Sequence, residues 1–423
     1  MSTIHRVVLQ ELQDRPQTTS EIAAVSGTSE GEVLLHLRDL NDRVKTLLGY
    51  REDPITASAG GTWKADGIAG LLRLSSQVEL EVVPKFLNPA TPTWRSDFFL
   101  LAVLVRTGHL LVHDEISAGA QDRGDLATLV ARALLTQHAE NNRRPIRGYQ
   151  RVHRHDFAID GDVDWETLAL PDPDGFRVTR LEMTNQNPYN AILSAAVTIL
   201  IPEVADGDTQ AQLQLLARQL APQPPPPAIF PPLPPRHSGW QRAYDLACLV
   251  VEGLGLDLKG GTFNGPGFVL STWTAWQALC EEVVRRALPD QKVVGQLGWE
   301  LGLRGTETVY ATPDISPLVG GVAPFLLDAK YKTRAGRTPS ITSADLYESL
   351  AFLRAAATSD MYLLYPARES TDTLALGAWK PFDRVDVDTV MVEGIELQVQ
   401  GISSRGGFDR VVAGARAALL PKV

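Results

Sequence analysis

A short apolar run that ends in charge constrains this chain more than any other feature. It lies in Thr312-Pro-Asp-Ile-Ser-Pro-Leu-Val-Gly-Gly-Val-Ala-Pro-Phe-Leu-Leu-Asp-Ala-Lys-Tyr-Lys332. Residues 324–328 read as a buried strand with a carboxylate at its end, and a charge in that position needs a partner. Side chains alternate along a strand, so Asp328 and Lys330 share one face. Upstream, Pro313-Asp314 is separated from the strand by a stretch containing Pro317, Gly320 and Gly321. That stretch is long enough to turn and return antiparallel, so Asp314 is expected to face Asp328.

Two converging carboxylates suit a hard divalent cation, normally Mg²⁺ with Mn²⁺ as a substitute, which takes its remaining ligands from water and phosphate oxygens. Such an ion polarises a phosphodiester and acidifies water, and Lys330 could orient that water or offset charge on the phosphate. Asp314, Asp328 and Lys330 are therefore the candidate catalytic residues. The competing reading is a strand end emerging into solvent, with Asp314 in a Pro-Asp turn.

The surroundings favour the first reading. In Thr272–Leu288, Trp276, Leu279, Val283 and Leu288 recur at helical spacing, and Glu281 on this helix is the candidate third metal ligand. Alternatively, Glu281 and Glu282 pair with Arg285 and Arg286 one turn away on a solvated face. Downstream, Ser343 is the expected N-cap of a helix carrying Leu346, Leu350 and Leu353. Met361–Pro366 then reads as another buried strand. The order is helix, strand, turn, strand with Asp-x-Lys, helix, strand, which is the core order of PD-(D/E)xK nucleases.

Residues 268–366 resemble the nuclease domain of the McrC family, the endonuclease subunit of McrBC-type modification-dependent restriction systems. The motifs carrying the resemblance are Leu279-Cys280-Glu281, Pro313-Asp314, Asp328 to Lys332, Asp345-Leu346-Tyr347-Glu348 and Tyr365-Pro366. Cys280 stands where the family has an aromatic, and Glu348 where it has Gln. Further upstream, residues 79–86 with Pro84-Lys85, residues 147–165 and residues 183–197 with Asn187-Pro188 are similar to family segments. At Asp160-Gly161-Asp162-Val163-Asp164 this chain lacks the arginine of the family's Arg-Gly-Arg-Ile-Asp. The resemblance implies a DNA endonuclease subunit that docks on a separate McrB-like AAA+ GTPase oligomer.

At 423 residues the chain exceeds the size of a single core. The expected fold is α/β and multidomain, with a C-terminal PD-(D/E)xK restriction-endonuclease-like domain, a mixed α+β N-terminal half and a small winged-helix-like start. In residues 1–50, His5–Leu12, Thr18–Gly27 and residues 29–44 read as three helices with helix-turn-helix spacing. Residues 51–220 form the candidate partner-docking domain. Residues 221–237, Ala-Pro-Gln-Pro-Pro-Pro-Pro-Ala-Ile-Phe-Pro-Pro-Leu-Pro-Pro-Arg-His, read as a proline-rich linker, and residues 238–423 form the nuclease domain.

The formal net charge of −10 and pI near 5.4 are unusual for a self-sufficient DNA binder. DNA delivery is therefore expected to need a partner. Basic character is concentrated in residues 141–155 and 330–337, and Lys332, Arg334 and Arg337 are the candidate DNA-binding residues. No Gly-x-x-x-x-Gly-Lys-Ser/Thr loop occurs, so the chain is not expected to be the motor. No apolar run long enough to span a membrane and no leader is read, which points to a cytoplasmic protein. Cys248 and Cys280 sit in apolar helical contexts, as buried thiols of a reducing compartment do. Two other readings stand beside the endonuclease subunit. One is a non-catalytic DNA- or protein-binding adaptor that uses the winged helix and keeps the nuclease fold as scaffold; the other is a repair or resolvase nuclease without a motor.

Overall fold

A computed structural model of the chain describes residues 5–10, 17–58, 61–73, 78–87, 91, 93–108, 126–170, 172–204, 206–220, 222–252, 268–331, 340–367 and 374–422. The chain is mixed α/β and divides into two compact units. One comprises residues 1–129 and 253–423, the other residues 130–252. These divisions differ from the expected ones at 50, 220 and 237.

The first unit opens on β1 (His5–Gln10), which is a strand where a helix is expected. It pairs in parallel with Val78–Val83, and its Val7-Val8 pair suits a strand. β2 (Gln17–Thr18), α1 (Thr19–Ser26) and α2 (Glu30–Leu48) follow. Both helices start with complete capping boxes, Thr18 with Glu21 and Ser29 with Glu32, and stop at Gly27 and Gly49 in the left-handed region. β3 (Ile55–Ala57) and β4 (Thr62–Ala65) make a hairpin to which β2 adds a third strand. Ile22, Val33, Leu37 and Val44 of the helices pack with Ile55 and Trp63 of that sheet. Asn41 fixes the approach, donating through Nδ2 to Ile55 O (2.7 Å) and accepting from Ile55 N (2.9 Å).

β5 (Ile68–Arg73) and β6 (Val78–Val83) join β1 in a four-stranded sheet of order β1-β6-β5-β10, and α3 (Trp94–Thr107) follows. The sheet's fourth strand comes from far downstream, which is why residues 51–220 do not close on themselves.

The second unit holds α4 (Leu126–Asn141) from residue 130 on, β7 (Gly148–Asp156), β8 (Asp162–Val163), α5 (Trp165–Ala169), β9 (Phe176–Thr184), α6 (Pro188–Leu200), α7 (Gly207–Leu220) and α8 (Gln241–Val251). β7 and β9 form a nine-residue antiparallel ribbon with β8 on its edge. Tyr149, Phe157, Trp165, Leu170, Leu181 and Met183 are exposed on and beside the ribbon. α6 is capped by Asn187 with Pro188 in its first turn, as Asn-Pro predicts. The proline-rich segment belongs to this unit and does not separate two domains. Tyr244 Oη of α8 donates to Pro231 O (2.6 Å), and Gln223 donates to Asn185 O (3.1 Å). Prolines lack the donors for a helix or sheet ladder, yet their carbonyls still accept.

The chain re-enters the first unit at β10 (Phe268–Ser271), paired antiparallel with β5, and continues into α9 (Thr272–Ala287). β11 (Lys292–Gly295), β12 (Trp299–Arg304), β13 (Glu307–Ala311), β14 (Ile315–Leu318), β15 (Leu326–Ala329), α10 (Ser343–Ala356), β16 (Asp360–Pro366), β17 (Trp379–Val387), β18 (Val390–Leu397) and α11 (Gly407–Leu419) complete it. A six-stranded mixed sheet runs β11-β14-β15-β16-β18-β17. β14 and β15 are antiparallel and β15, β16 and β18 parallel, so α10 is the crossover between β15 and β16 that parallel pairing requires. Leu326, Met361, Leu363 and Val392 on one face of the sheet pack against Phe352 and Leu353 of α10. On β15 and α11 packs α9, with Trp276, Leu279 and Val283 fully buried.

Candidate functional site

The end of β15 gathers the residues singled out in the sequence. Leu326 is buried against α10, and the two-residue repeat carries Asp328 and Lys330 to that same face. Antiparallel pairing of Ile315 with Leu327 brings Asp314, just before β14, beside Asp328. Asp314 N donates to Asp328 Oδ1 (3.3 Å), and Ala329 N donates to Asp314 Oδ2 (2.9 Å). Gln296 pins the other side of Asp314, donating from its backbone N to Asp314 O (2.9 Å). Gln296 itself lies at φ 50°, a region uncommon for a residue with a side chain. Burial, and next the adjacent Asp328 carboxylate, push the Asp314 pKa up to about 7.

Lys330 is buried with them. Its Nζ lies 2.6 Å from Asp328 Oδ2, 2.6 Å from Glu348 Oε2 and 3.8 Å from Asp345 Oδ1. Burial alone would lower its pKa, but the Asp328 and Glu348 carboxylates outweigh burial and raise it. Lys330 is therefore a fixed cation. Its backbone N donates to Leu364 O (2.9 Å), and Trp276 Nε1 of α9 donates to the same carbonyl (2.9 Å). Asp345 and Glu348 sit three residues apart on α10 and so share the face turned to Lys330. Asp345 is buried and accepts from Thr342 Oγ1 (2.8 Å) and Tyr365 Oη (3.2 Å). The cap of α10 is Thr342, whose side chain accepts from Asp345 N, and not the expected Ser343.

Glu281 is not gathered with the acid pair. Its carboxylate is bound by Arg285 one turn along α9, and Glu282 pairs with Arg285 (2.6 Å) and Arg286 (2.7 Å). The pairing with Arg285 and Arg286 expected at helical spacing is present, but on a largely buried and not a solvated face, since the Glu281 and Glu282 side chains are only 25% and 12% exposed. The Glu281 carboxylate rests against Gly295, where a Cβ would meet Glu281 Oε2 at 2.5 Å. Among the described residues no three His, Cys, Asp or Glu side chains are gathered to hold a metal ion. Lys332, Arg334 and Arg337 lie outside the described residues.

The donor chemistry of Asp314 and Asp328 fits a hard divalent cation. Two carboxylates share a partly desolvated site, one of them retaining a proton near neutrality, and a cation would relieve their repulsion. Cys280 lies on the α9 side. Its thiol is fully buried, and burial, then Asp314 and Asp328, hold its pKa well above the ordinary range, so it stays protonated and unreactive. In the sequence Glu348 stands out only as the residue in place of the family's Gln, and its pairing with Lys330 is made by the fold. Among the described residues, no helix is long and apolar enough to cross a membrane.

Comparison with known proteins agrees with this architecture. A chain of the refined half-complex from the tetradecameric assembly of Thermococcus gammatolerans McrB AAA+ hexamers with bound McrC superposes with a TM-score of 0.71 at 17% identity, covering 99% of this chain and 100% of that one. A chain of the cryo-EM structure of the Thermococcus gammatolerans McrBC complex gives a TM-score of 0.51 at 18% identity, over 67% of this chain and 88% of that one. No curated protein matches. The family model of the McrBC 5-methylcytosine restriction system component matches residues 63–366, which include the Asp314, Asp328 and Lys330 cluster and both of its flanking helices. That match spans well over half of the chain, which therefore belongs, as an McrC-type protein, to the McrBC restriction-system component family.

Proposed function

We propose that this chain is the Mg²⁺-dependent DNA endonuclease subunit of a restriction complex, with a PD-(D/E)xK catalytic domain that acts when docked on an McrB-like AAA+ GTPase. The observation that carries the reading is the buried Asp314–Asp328 pair with Lys330 against it. A scaffold has no physical reason to bury two adjacent carboxylates, since their mutual repulsion opposes folding.

In this reading Asp314 and Asp328 hold Mg²⁺, or Mn²⁺ in its place, which when bound supplies Lewis-acid polarisation of the scissile phosphodiester and a more acidic attacking water. Lys330 keeps its proton, held by Asp328 and Glu348, so it acts by opposing negative charge that develops on the phosphate and not as a general base. Lys332, Arg334 and Arg337 follow directly and would contact the DNA backbone. The exposed apolar side chains of the β7–β9 ribbon supply a surface for the GTPase.

The two helices and hairpin at the start suit a winged-helix-like segment. Leu34 and Leu35 are exposed on α2 next to acidic positions, which favours protein contact over DNA. The test is cleavage of methylated plasmid by the purified chain with Mg²⁺, GTP and the partner GTPase. Wild type is expected to cut and Asp328→Ala to be inert; equal inactivity of both would move the adaptor reading ahead.

A further inference from the structure

The second unit holds a cavity of about 500 Å³ that the function proposed above does not use. α4 and the turn after it give His138, Asn142 and Pro145 to its wall, and the turn after β9 gives Gln186. The end of α7 and the chain beyond it give Gln219 and Gln223, and Trp240, just before α8, lines it as well. Its size lies within the roughly 300–1,000 Å³ of small-molecule sites. Among the described residues no Asp, Glu, Lys or Arg lines it. Burial pushes the His138 pKa down, so the imidazole is neutral too. The wall therefore suits an uncharged group.

One wall atom is fixed as an acceptor. Gln223 Nε2 donates to Asn185 O (3.1 Å) and to Leu220 O (2.7 Å), which settles the orientation of the amide. Its Oε1 is buried and receives no hydrogen bond among the described residues, and an unmet buried acceptor favours a ligand with an N–H to offer. Asn142, Gln186 and Gln219 are exposed, and their amides carry both donors and acceptors. Trp240 is buried, with the His138 ring at its edge (5.1 Å). A nucleobase matches this set: it is neutral and planar, with N–H and acceptor groups along its edge and a face for the aromatic wall.

Charge stands next to the cavity and not in it. Arg143 and Arg144 lie in the chain between Asn142 and Pro145, so their side chains are long enough to reach the rim. Both are exposed, and neither makes an ion pair among the described residues. They belong to the basic stretch 141–155, to which the nuclease reading gives no role, and guanidinium groups suit phosphate.

We propose that this cavity is a nucleotide site, with the base inside against Gln223 Oε1 and the phosphate outside on Arg143 and Arg144. The base comes from a free mononucleotide or from a single strand. The site uses no residue of the acid cluster, so it stands whether or not the nuclease reading does.

The test uses the full chain in EDTA, so that no cation loads the acid site. Calorimetry measures adenosine, guanosine, cytidine and thymidine monophosphates and the matching nucleosides. Anisotropy measures a labelled single strand of mixed sequence and the same strand made abasic. The variants are Gln223→Met, Gln219→Trp, and Arg143→Ala with Arg144→Ala, each checked by thermal unfolding. Gln223→Met should weaken binding about tenfold, and Gln219→Trp, which fills the cavity from an exposed position, should abolish it. Loss of the arginine pair should weaken the phosphate-bearing ligand about tenfold and leave the nucleoside unchanged. Binding of a monophosphate marks a free nucleotide as the ligand; binding of the strand alone, lost when it is abasic, marks a base of nucleic acid. If wild type binds neither millimolar monophosphate nor the strand, the proposal is overturned. Binding that stays at wild-type strength in folded Gln223→Met and Gln219→Trp also overturns it, because the ligand would then lie elsewhere.

Discussion

Asp314 offers a prediction whose sign and size follow from the site. Its folded-state pKa is raised from 3.8 to about 7, through burial and the neighbouring Asp328 carboxylate. Below pH 4 the group is protonated in both folded and unfolded chains and has no effect on stability. Between pH 4 and 7 the unfolded chain loses the proton while the folded chain keeps it, so stability falls as pH rises. Above pH 7 both forms are ionised and the cost is constant. At 1.36 kcal/mol per pH unit the full span corresponds to roughly 4 kcal/mol, and solvent reaching this partly open site brings it to about 2–4 kcal/mol. Asp314→Asn keeps an acceptor for Ala329 N and removes the titration. Denaturant unfolding in EDTA at pH 5 and pH 8 spans about two of those pH units and should therefore show the variant gaining on wild type by about 1–3 kcal/mol on going to pH 8. Parallel pH profiles for the two proteins would refute the reasoning, because they would mean that neither burial nor the Asp328 carboxylate raises the Asp314 pKa in the fold.

Other outcomes can be checked more simply. Glu348→Gln should change stability by less than about 1 kcal/mol, since its side chain is half exposed. Plasmid cleavage should survive in that variant and be lost in Glu348→Lys, which sets a like charge beside Lys330. Asn41→Ala removes both bonds to Ile55 in the interior and should cost about 2–4 kcal/mol in denaturant unfolding. Gly414→Ala drives a Cβ into Gly377 O and should lower the melting temperature sharply, whereas Gly31→Ala, with nothing within 4 Å, should leave it unchanged or raise it.

Local pattern made the C-terminal part of this chain legible. α2, α9 and α10 follow from apolar residues at helical spacing, and β15 and β16 from short apolar runs bounded by proline, glycine or charge. The juxtaposition of Asp314 with Asp328 followed from one turn of plausible length. What the sequence did not disclose was mostly non-local. His5–Gln10 is too short for the helical and strand periods to separate, and its partner lies some seventy residues on. The pairing of β5 with β10 crosses the whole second unit, and no local signal encodes it. Prolines in 221–237 predicted correctly that no helix or strand forms over most of that stretch, but composition could not say that its carbonyls pack within a unit. Glu281 had two chemically sound partners, a metal or Arg285, and spacing alone favoured neither.

The central claim is that Asp314 and Asp328 together form a divalent-cation site. Its most direct test is Mn²⁺ binding to the full chain, measured by calorimetry or by loss of the free-ion resonance signal, for wild type, Asp314→Ala, Asp328→Ala and Glu281→Gln. The account predicts a site present in wild type, lost in each aspartate variant and retained in Glu281→Gln. A site that persists without Asp314 or Asp328 would contradict it.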